Sequence, residues 1–156
     1  MKSLRGNLEI NGGLMIRKIF DNKEILITGG RGFLGKYVID GLIKKGVNQK
    51  RIHVPRSASC DLRIRDNCDL IVKNIDLVIH LAAHLGGIEY NRTHPGTLFY
   101  DNAIMGLNLL DAAMKNEVEK MTIISSVCAY PKNVPIPTKE ENLWNGYPEK
   151  SNGAYG

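Results

Sequence analysis

The sequence predicts an α/β fold, a doubly wound parallel sheet, and three observations carry that prediction. Short apolar runs rich in β-branched residues recur at 24–28 (EILIT), 51–54 (RIHV), 77–82 (LVIHLA) and 121–125 (MTIIS). Longer stretches with apolar residues at helical spacing alternate with them. Within the strand-like runs apolar residues are nearly continuous rather than alternating, the pattern of strands buried on both faces. Strands separated by helices pair in parallel, and their crossovers lay the helices on both sides of the sheet.

Taken in order, residues 1–14 (MKSLRGNLEINGGL) are polar, glycine-containing and aperiodic, and read as a flexible extension ahead of Met15. The first strand, 24–28, ends in glycine. The first helix is expected over 33–45, with Leu34, Val38, Leu42 and Ile43 on one face and Gly46 ending it. A strand at 51–54 and a helix at 63–74 follow, then the strand at 77–82. A loop rich in Gly, His and Asn leads to Pro95. The longest helix is expected over 97–116, with Ala103, Leu107, Leu110 and Met114 on one stripe. After the strand at 121–125 periodicity is lost and prolines gather at 131, 135, 137 and 148. Residues 15–156 are therefore expected to form a single domain.

Composition narrows the function classes. With 43% hydrophobic and 24% charged residues among 156, the chain is an ordinary globular one. No apolar stretch reaches the roughly 20 residues that span a bilayer, and no long apolar segment marks a signal peptide. The cysteines, Cys60, Cys68 and Cys128, include no CxxC pair and suit a reducing cytoplasm, so a cytoplasmic protein is expected. The histidines show no metal-binding spacing, and no metal is expected. The net charge of +5 is concentrated at the front: residues 1–51 hold eleven Lys/Arg against four Asp/Glu. The basic residues are scattered and not interleaved with aromatics, so neither nucleic acid nor membrane is expected as a partner. A small, phosphate-rich ligand accounts for the same bias.

Directly after the first strand stands Gly29-Gly30-Arg31-Gly32-Phe33-Leu34-Gly35, a GxxGxxG pattern. Three glycines so placed permit the tight turn, the approach of backbone to a pyrophosphate and close packing of the helix that follows. That helix would point its free N–H groups at the phosphates. A strand before and an amphipathic helix after are the context that a dinucleotide site requires. At the end of the second strand, where a carboxylate would hold a ribose 2′-hydroxyl, stands Val54-Pro55-Arg56-Ser57. Arg56 therefore favours a 2′-phosphate, with Arg31 as a second partner, and the expected cofactor is NADP(H). The bland reading of Arg56 is a solvated loop residue. Asp61-Leu62 follow where such a pair borders an adenine.

Three segments together resemble the extended short-chain dehydrogenases/reductases, of the NAD-dependent epimerase/dehydratase type. They are TGGRGFLG (28–35), HLAA (80–83) and SSVCAYP (125–131). The resemblance implies a Rossmann-like NAD(P)-binding domain in which Leu81, Ala82, Ala83 and Ser125 line the cofactor. Within that family, HLGGIEYNRTHP (84–95), SVCAYPK (126–132) and EENLWNGYPEKSNGAYG (140–156) are similar to the substrate-side loops of the GDP-L-fucose synthase branch. Members of that branch use NADPH to epimerise two ring carbons of GDP-4-keto-6-deoxymannose and then reduce its keto group. A GDP-linked 4-keto-6-deoxyhexose is thus the implied substrate, and a homodimer the implied assembly of the full-length chain. By the same resemblance Ser126 hydrogen-bonds the reacting oxygen, Tyr155 is the general acid, and Cys128 does acid/base work in epimerisation. Local chemistry also offers plainer roles: a capping serine, an exposed tyrosine and a small buried thiol. His80, inside an apolar strand, reads as a structural histidine, and His84, alone in its loop, as incidental.

The family pattern is Tyr-x-x-x-Lys, and its lysine would fall at position 159, past the end of the sequence at Gly156. The sheet is therefore expected to be incomplete at its C-terminal side, with the sugar-nucleotide domain lying beyond, and this chain alone is not expected to turn over substrate. Two other readings stay open: a related nucleotide-sugar epimerase/4-reductase, and a truncated dinucleotide-binding module without chemistry.

Overall fold

The computed structural model describes residues 19–150 and Gly153; the extension expected over 1–14 and Tyr155 lie outside the described residues. Four strands, β1 (Ile25–Thr28), β2 (Ile52–His53), β3 (Leu77–His80) and β4 (Lys120–Ile123), form one sheet in the order β2-β1-β3-β4. Every neighbouring pair is parallel; in the central pair Ile25 stands opposite Leu77 and Thr28 opposite His80. The helices are α1 (Phe33–Lys44), α2 (Arg65–Ile71), α3 (Ile88–Thr93) and α4 (Pro95–Lys115). The expected doubly wound parallel sheet is what the chain forms.

Strand β1 is buried along its whole length, and its side chains alternate between two cores. Ile25, Ile27 and Leu77 pack with Leu42 and Val47 under α1. Leu26 and Val78 face the other way, into a cluster with Cys68 and Val72 of the α2 region and with Leu109 and Ala112 of α4. Each fully buried aliphatic side chain contributes about 1.5–3 kcal/mol, so β1, feeding both cores, is the keystone of the sheet. The close of α1 follows from Gly46, at φ 91. Its N–H bonds the carbonyl of Ile43, and the next N–H, of Val47, bonds that of Leu42. Both terminal carbonyls are thereby satisfied, and Val47 is folded back onto Leu42.

The differences from the expected elements have local causes. Strand β2 is only two residues long, preceded by a turn of 3-10 helix at Gln49–Arg51, and Pro55 lacks the N–H that would extend its ladder. Helix α2 covers less than the expected 63–74, because Ile64 is still extended and Asn74, at φ 59, has already left the helical conformation. The expected loop before Pro95 contains α3, whose Ile88 is 80% exposed, so it leaves no apolar stripe to be read. Strand β4 is a half-exposed edge, with Ile123 and Ile124 both open to solvent, rather than the buried strand that its composition suggested. Helix α4 turns the expected stripe outward: Leu107, Leu110 and Met114 are exposed. The stripe facing the core holds Leu98, Asp101, Leu109, Ala112 and Ala113. The helix is apolar on two sides, and periodicity alone does not tell which of them meets the sheet. Leu34 on α1 is likewise exposed, while Leu42 is buried.

All three cysteines are free thiols. Cys68 is packed in the core, where burial raises its thiol to about 11. Among the described residues no helix is long and apolar enough to cross a membrane.

Candidate active site

Helix α1 covers one face of the sheet and α2 and α4 the other, so the winding reverses between β1 and β3. In open parallel sheets the crevice at such a switch, beyond the carboxyl ends of the strands, is where ligands bind. A cleft of about 810 Å³ opens there, and its walls come from the segments that follow β1, β2 and β3.

The glycine loop forms the floor. Gly29 has φ 68, and a Cβ at this position would stand 2.7 Å from the backbone nitrogen of Ala82. Only glycine allows β1 to turn this sharply while the chain leaving β3 passes against it. Gly35 would drive a Cβ to 2.4 Å from the Cα of Gly30, so the start of α1 is seated directly on the loop. Gly32, which lines the cleft, caps α1 without a side-chain hydrogen bond, and its own N–H is held by the carbonyl of Gly29 at 2.9 Å. The first turn of α1 contains no acidic residue. The N–H groups of Phe33, Leu34 and Gly35 therefore have no intrahelical acceptor and offer partial positive charge at the loop.

Arg31 enters the wall from the glycine loop, and Pro55, Arg56 and Ser57 from the end of β2. No Asp or Glu among the described residues pairs with Arg31 or Arg56, whereas Arg51, Arg63, Arg65 and Arg92 all form ion pairs. Two uncompensated guanidinium groups beside free helix N–H groups suit a ligand with several phosphates.

Beyond them the wall turns acidic and basic in alternation. Asp61 receives Arg63 Nε at 3.0 Å and Nη2 at 2.7 Å, which holds its carboxyl below the usual carboxylate range. Arg63 Nη1 reaches on to Asp101 Oδ2 at 3.1 Å. The same oxygen accepts from His84 Nδ1 at 2.7 Å. Asp101 is a buried side chain of α4, and His84, placed by the loop after β3, is half-exposed in the cleft wall. Asn102 fixes that loop by accepting from the His84 N–H at 2.7 Å and donating to its carbonyl at 2.8 Å. Leu81, Ala82 and Ala83 complete the β3 side. His80 lies just beneath, buried and joined to Thr28 Oγ1 at 2.6 Å; burial holds its imidazole below the ordinary value. It is the structural histidine expected.

Of the sequence-predicted cofactor residues, Gly29, Arg31, Gly32, Arg56, Asp61, Leu62, Leu81, Ala82 and Ala83 come together around one cleft. Gly30, Phe33, Leu34, Gly35 and Ser125 do not line it. Gly30 lies under the loop against Val54, Phe33 and Leu34 face solvent, and Ser125 is exposed at the end of β4. Ser126 and Cys128 are half-buried in the segment after β4, outside the cleft wall. Ser126 Oγ accepts the N–H of Cys128 at 3.1 Å, capping the 3-10 turn Val127–Ala129. An accepting hydroxyl keeps its own hydrogen to donate, so capping and catalysis are compatible. Sequence reasoning missed Cys60, Arg63, Asp101 and Met105 and set His84 aside. No sequence signal marked Asp101, because its place on the inward stripe of α4, three residues after Leu98 and four before Met105, is set by packing.

Comparison with known proteins bears on the same residues. The family model described as NAD dependent epimerase/dehydratase matches residues 25–156. The chain is 34% identical over 135 residues to a GDP-L-fucose synthase of Azorhizobium caulinodans, covering 85% of this chain and 42% of that protein. It is 30% identical over 146 residues to GDP-mannose 3,5-epimerase 1 of Oryza sativa subsp. indica, covering 83% and 39%. A solved GDP-L-fucose synthetase from Naegleria fowleri bound to NADP superposes with a TM-score of 0.74 at 33% identity, covering 86% of this chain and 40% of that one. The chain thus spans about two fifths of the length of the curated relatives it matches. With the glycine loop, the switch-point cleft and the parallel sheet in place, the chain belongs to the NAD dependent epimerase/dehydratase family.

Proposed function

We propose that this chain is the cofactor-binding part of an enzyme of the GDP-L-fucose synthase kind, converting GDP-4-keto-6-deoxymannose to GDP-L-fucose with NADPH. The observation that carries the cofactor is the pair of uncompensated arginines, Arg31 and Arg56, in the cleft wall. A 2′-phosphate beside Arg56 satisfies the second guanidinium, and the free N–H groups at the start of α1 take the pyrophosphate. Leu81, Ala82 and Ala83 give the far side an apolar surface on which a planar ring can lie.

When bound, NADPH supplies the hydride; the chain supplies position and protons. Ser126 donates its free hydroxyl hydrogen to the keto oxygen, which draws electron density from the adjoining carbons and acidifies their hydrogens. Cys128, two residues on, exchanges a proton with such a carbon during epimerisation. Tyr155 protonates the oxygen as the keto group is reduced. These three roles rest on the resemblance of SSVCAYP and of the Tyr155 segment to the family pattern.

A second reading has support in the rice relative's name: a redox-neutral epimerase of a GDP-sugar. Epimerisation alone leaves the oxidation level of the sugar unchanged. The test is to follow NADPH absorbance with GDP-4-keto-6-deoxymannose, using the protein as its gene encodes it. The proposal expects stoichiometric NADPH consumption and a drop of at least about a hundredfold for Tyr155→Phe. Sugar epimerised without net NADPH loss selects the second reading, and undiminished turnover in Tyr155→Phe overturns the assignment of Tyr155.

A further inference from the structure

The cleft wall holds a continuous chain of charges, Asp61–Arg63–Asp101–His84, of which only Asp61 figures among the cofactor contacts described above. It runs from the segment after β2 to the segment after β3, past the switch point. Its best-buried member is Asp101, whose side chain is 7% exposed. One carboxylate oxygen of Asp101 serves both neighbours, and a carboxylate only accepts, so His84 must donate through Nδ1–H. That fixes both the tautomer and the tilt of the ring. It leaves Nε2, which in the neutral ring is an acceptor, on the side away from Asp101. Its nearest protein partner is the hydroxyl of Tyr90 at 3.5 Å, at the outer limit for a hydrogen bond. Asn102, gripping both backbone groups of His84, prevents the loop from carrying the ring elsewhere. A half-exposed imidazole in the cleft wall, oriented by a buried carboxylate and with only the long contact to Tyr90 at its second nitrogen, is placed to meet a ligand.

The strand order says which part of the ligand. Arg56 follows β2 and His84 follows β3, and these strands flank β1 on opposite sides. A dinucleotide whose 2′-phosphate lies by Arg56 and whose pyrophosphate lies over Gly29–Gly32 extends its other half toward His84. We propose that His84 is a ligand-contacting residue at that far end, its Nε2 accepting a hydrogen bond from a sugar hydroxyl, and that Asp101 is its positioning residue. The hydroxyl belongs either to the second ribose of the dinucleotide or to the hexose of the nucleotide sugar. The inference rests on the cofactor reading given above.

Ring-nitrogen NMR of the 15N-histidine-labelled chain separates the possibilities, with His53 and His94 as internal controls and NADPH binding followed independently by its fluorescence. With 2′,5′-ADP, which fills only the adenosine end, the His84 Nε2 signal is expected to stay in place. With NADPH it is expected to move and to saturate at the affinity that fluorescence reports, which identifies the ribose. Movement only when GDP-mannose is added to the NADPH-loaded chain identifies the hexose. Asp101→Asn is expected to release the ring from its single Nδ1–H tautomer and to weaken the Nε2 response about fivefold. A His84 silent to both NADPH and added GDP-mannose in a chain that binds NADPH, or an equal response to 2′,5′-ADP, overturns the proposal and leaves the cofactor reading intact. A tautomer unchanged in Asp101→Asn removes Asp101 from its role. Absence of NADPH binding overturns both readings together.

Discussion

Arg56 is an exposed side chain at the end of β2 that forms no ion pair among the described residues, and a cation so placed gains most when a dianion arrives beside it. Arg56→Ala is therefore expected to weaken NADPH binding about tenfold to a hundredfold while leaving NADH nearly unchanged, as read by fluorescence titration. Equal losses for the two cofactors would place the arginine on another phosphate. Gly29 is the residue on which the turn depends: its positive φ disfavours any side chain, and a methyl group there would collide with the backbone of Leu81 and Ala82. Gly29→Ala should cost about 2–4 kcal/mol in urea unfolding and lose cofactor binding with it. Gly41, in the middle of α1 with open space around it, provides the control: Gly41→Ala should stabilise by about 0.5–1 kcal/mol. At this scale much of the site was legible in advance. Glycines betray a backbone requirement, and Arg56, singled out at the end of the second strand, stands in the cleft wall beside them, because each is a local chemical choice. Asp101 and the orientation of His84 were not legible, because their meaning lies in a pairing across 17 residues.

At the scale of elements, the ends of β1 and β3 are joined by the Thr28–His80 hydrogen bond immediately below the cleft. Burial depresses the imidazole of His80, so the unfolded chain takes up a proton at a pH where the folded one does not. The stability that His80 contributes is then full above the ordinary imidazole value of about 6.5 and declines as pH falls below it, toward the depressed folded value. Thermal melts between pH 7.5 and 5.5 should show this decline in the parent chain and a shallower one in His80→Gln, which keeps a hydrogen-bonding partner for Thr28. Parallel pH profiles would show that His80 is protonated in the folded state. Elements were legible where one signal dominated. Strand β1 is apolar throughout and stops at glycine, and α1 ends where Gly46 closes its last turn. Helix α4 misled because it is apolar on two sides, and only packing tells which side meets β3. Strand β4 misled because β propensity reports the strand and not its place at the edge of the sheet.

For the whole molecule, the order β2-β1-β3-β4 does more than build a core: it opens a crevice at the one place where the winding reverses, and nine of the residues expected to hold a cofactor line it. The fold class was legible because alternation of strand and helix patterns leaves few topologies, and right-handed crossovers leave fewer. The far wall of the site was not, since it depends on how the segment after β4, with Ser126 and Cys128, lies against a substrate. The central claim is that the switch-point cleft of this chain holds NADPH. Titration of the 156-residue chain with NADPH, followed by its fluorescence and repeated with Arg56→Ala and Gly29→Ala, tests it most directly. Saturable one-to-one binding, tighter than that of NADH and lost or weakened in both variants, is the result predicted here; no saturable binding, or binding indifferent to both substitutions, would contradict it.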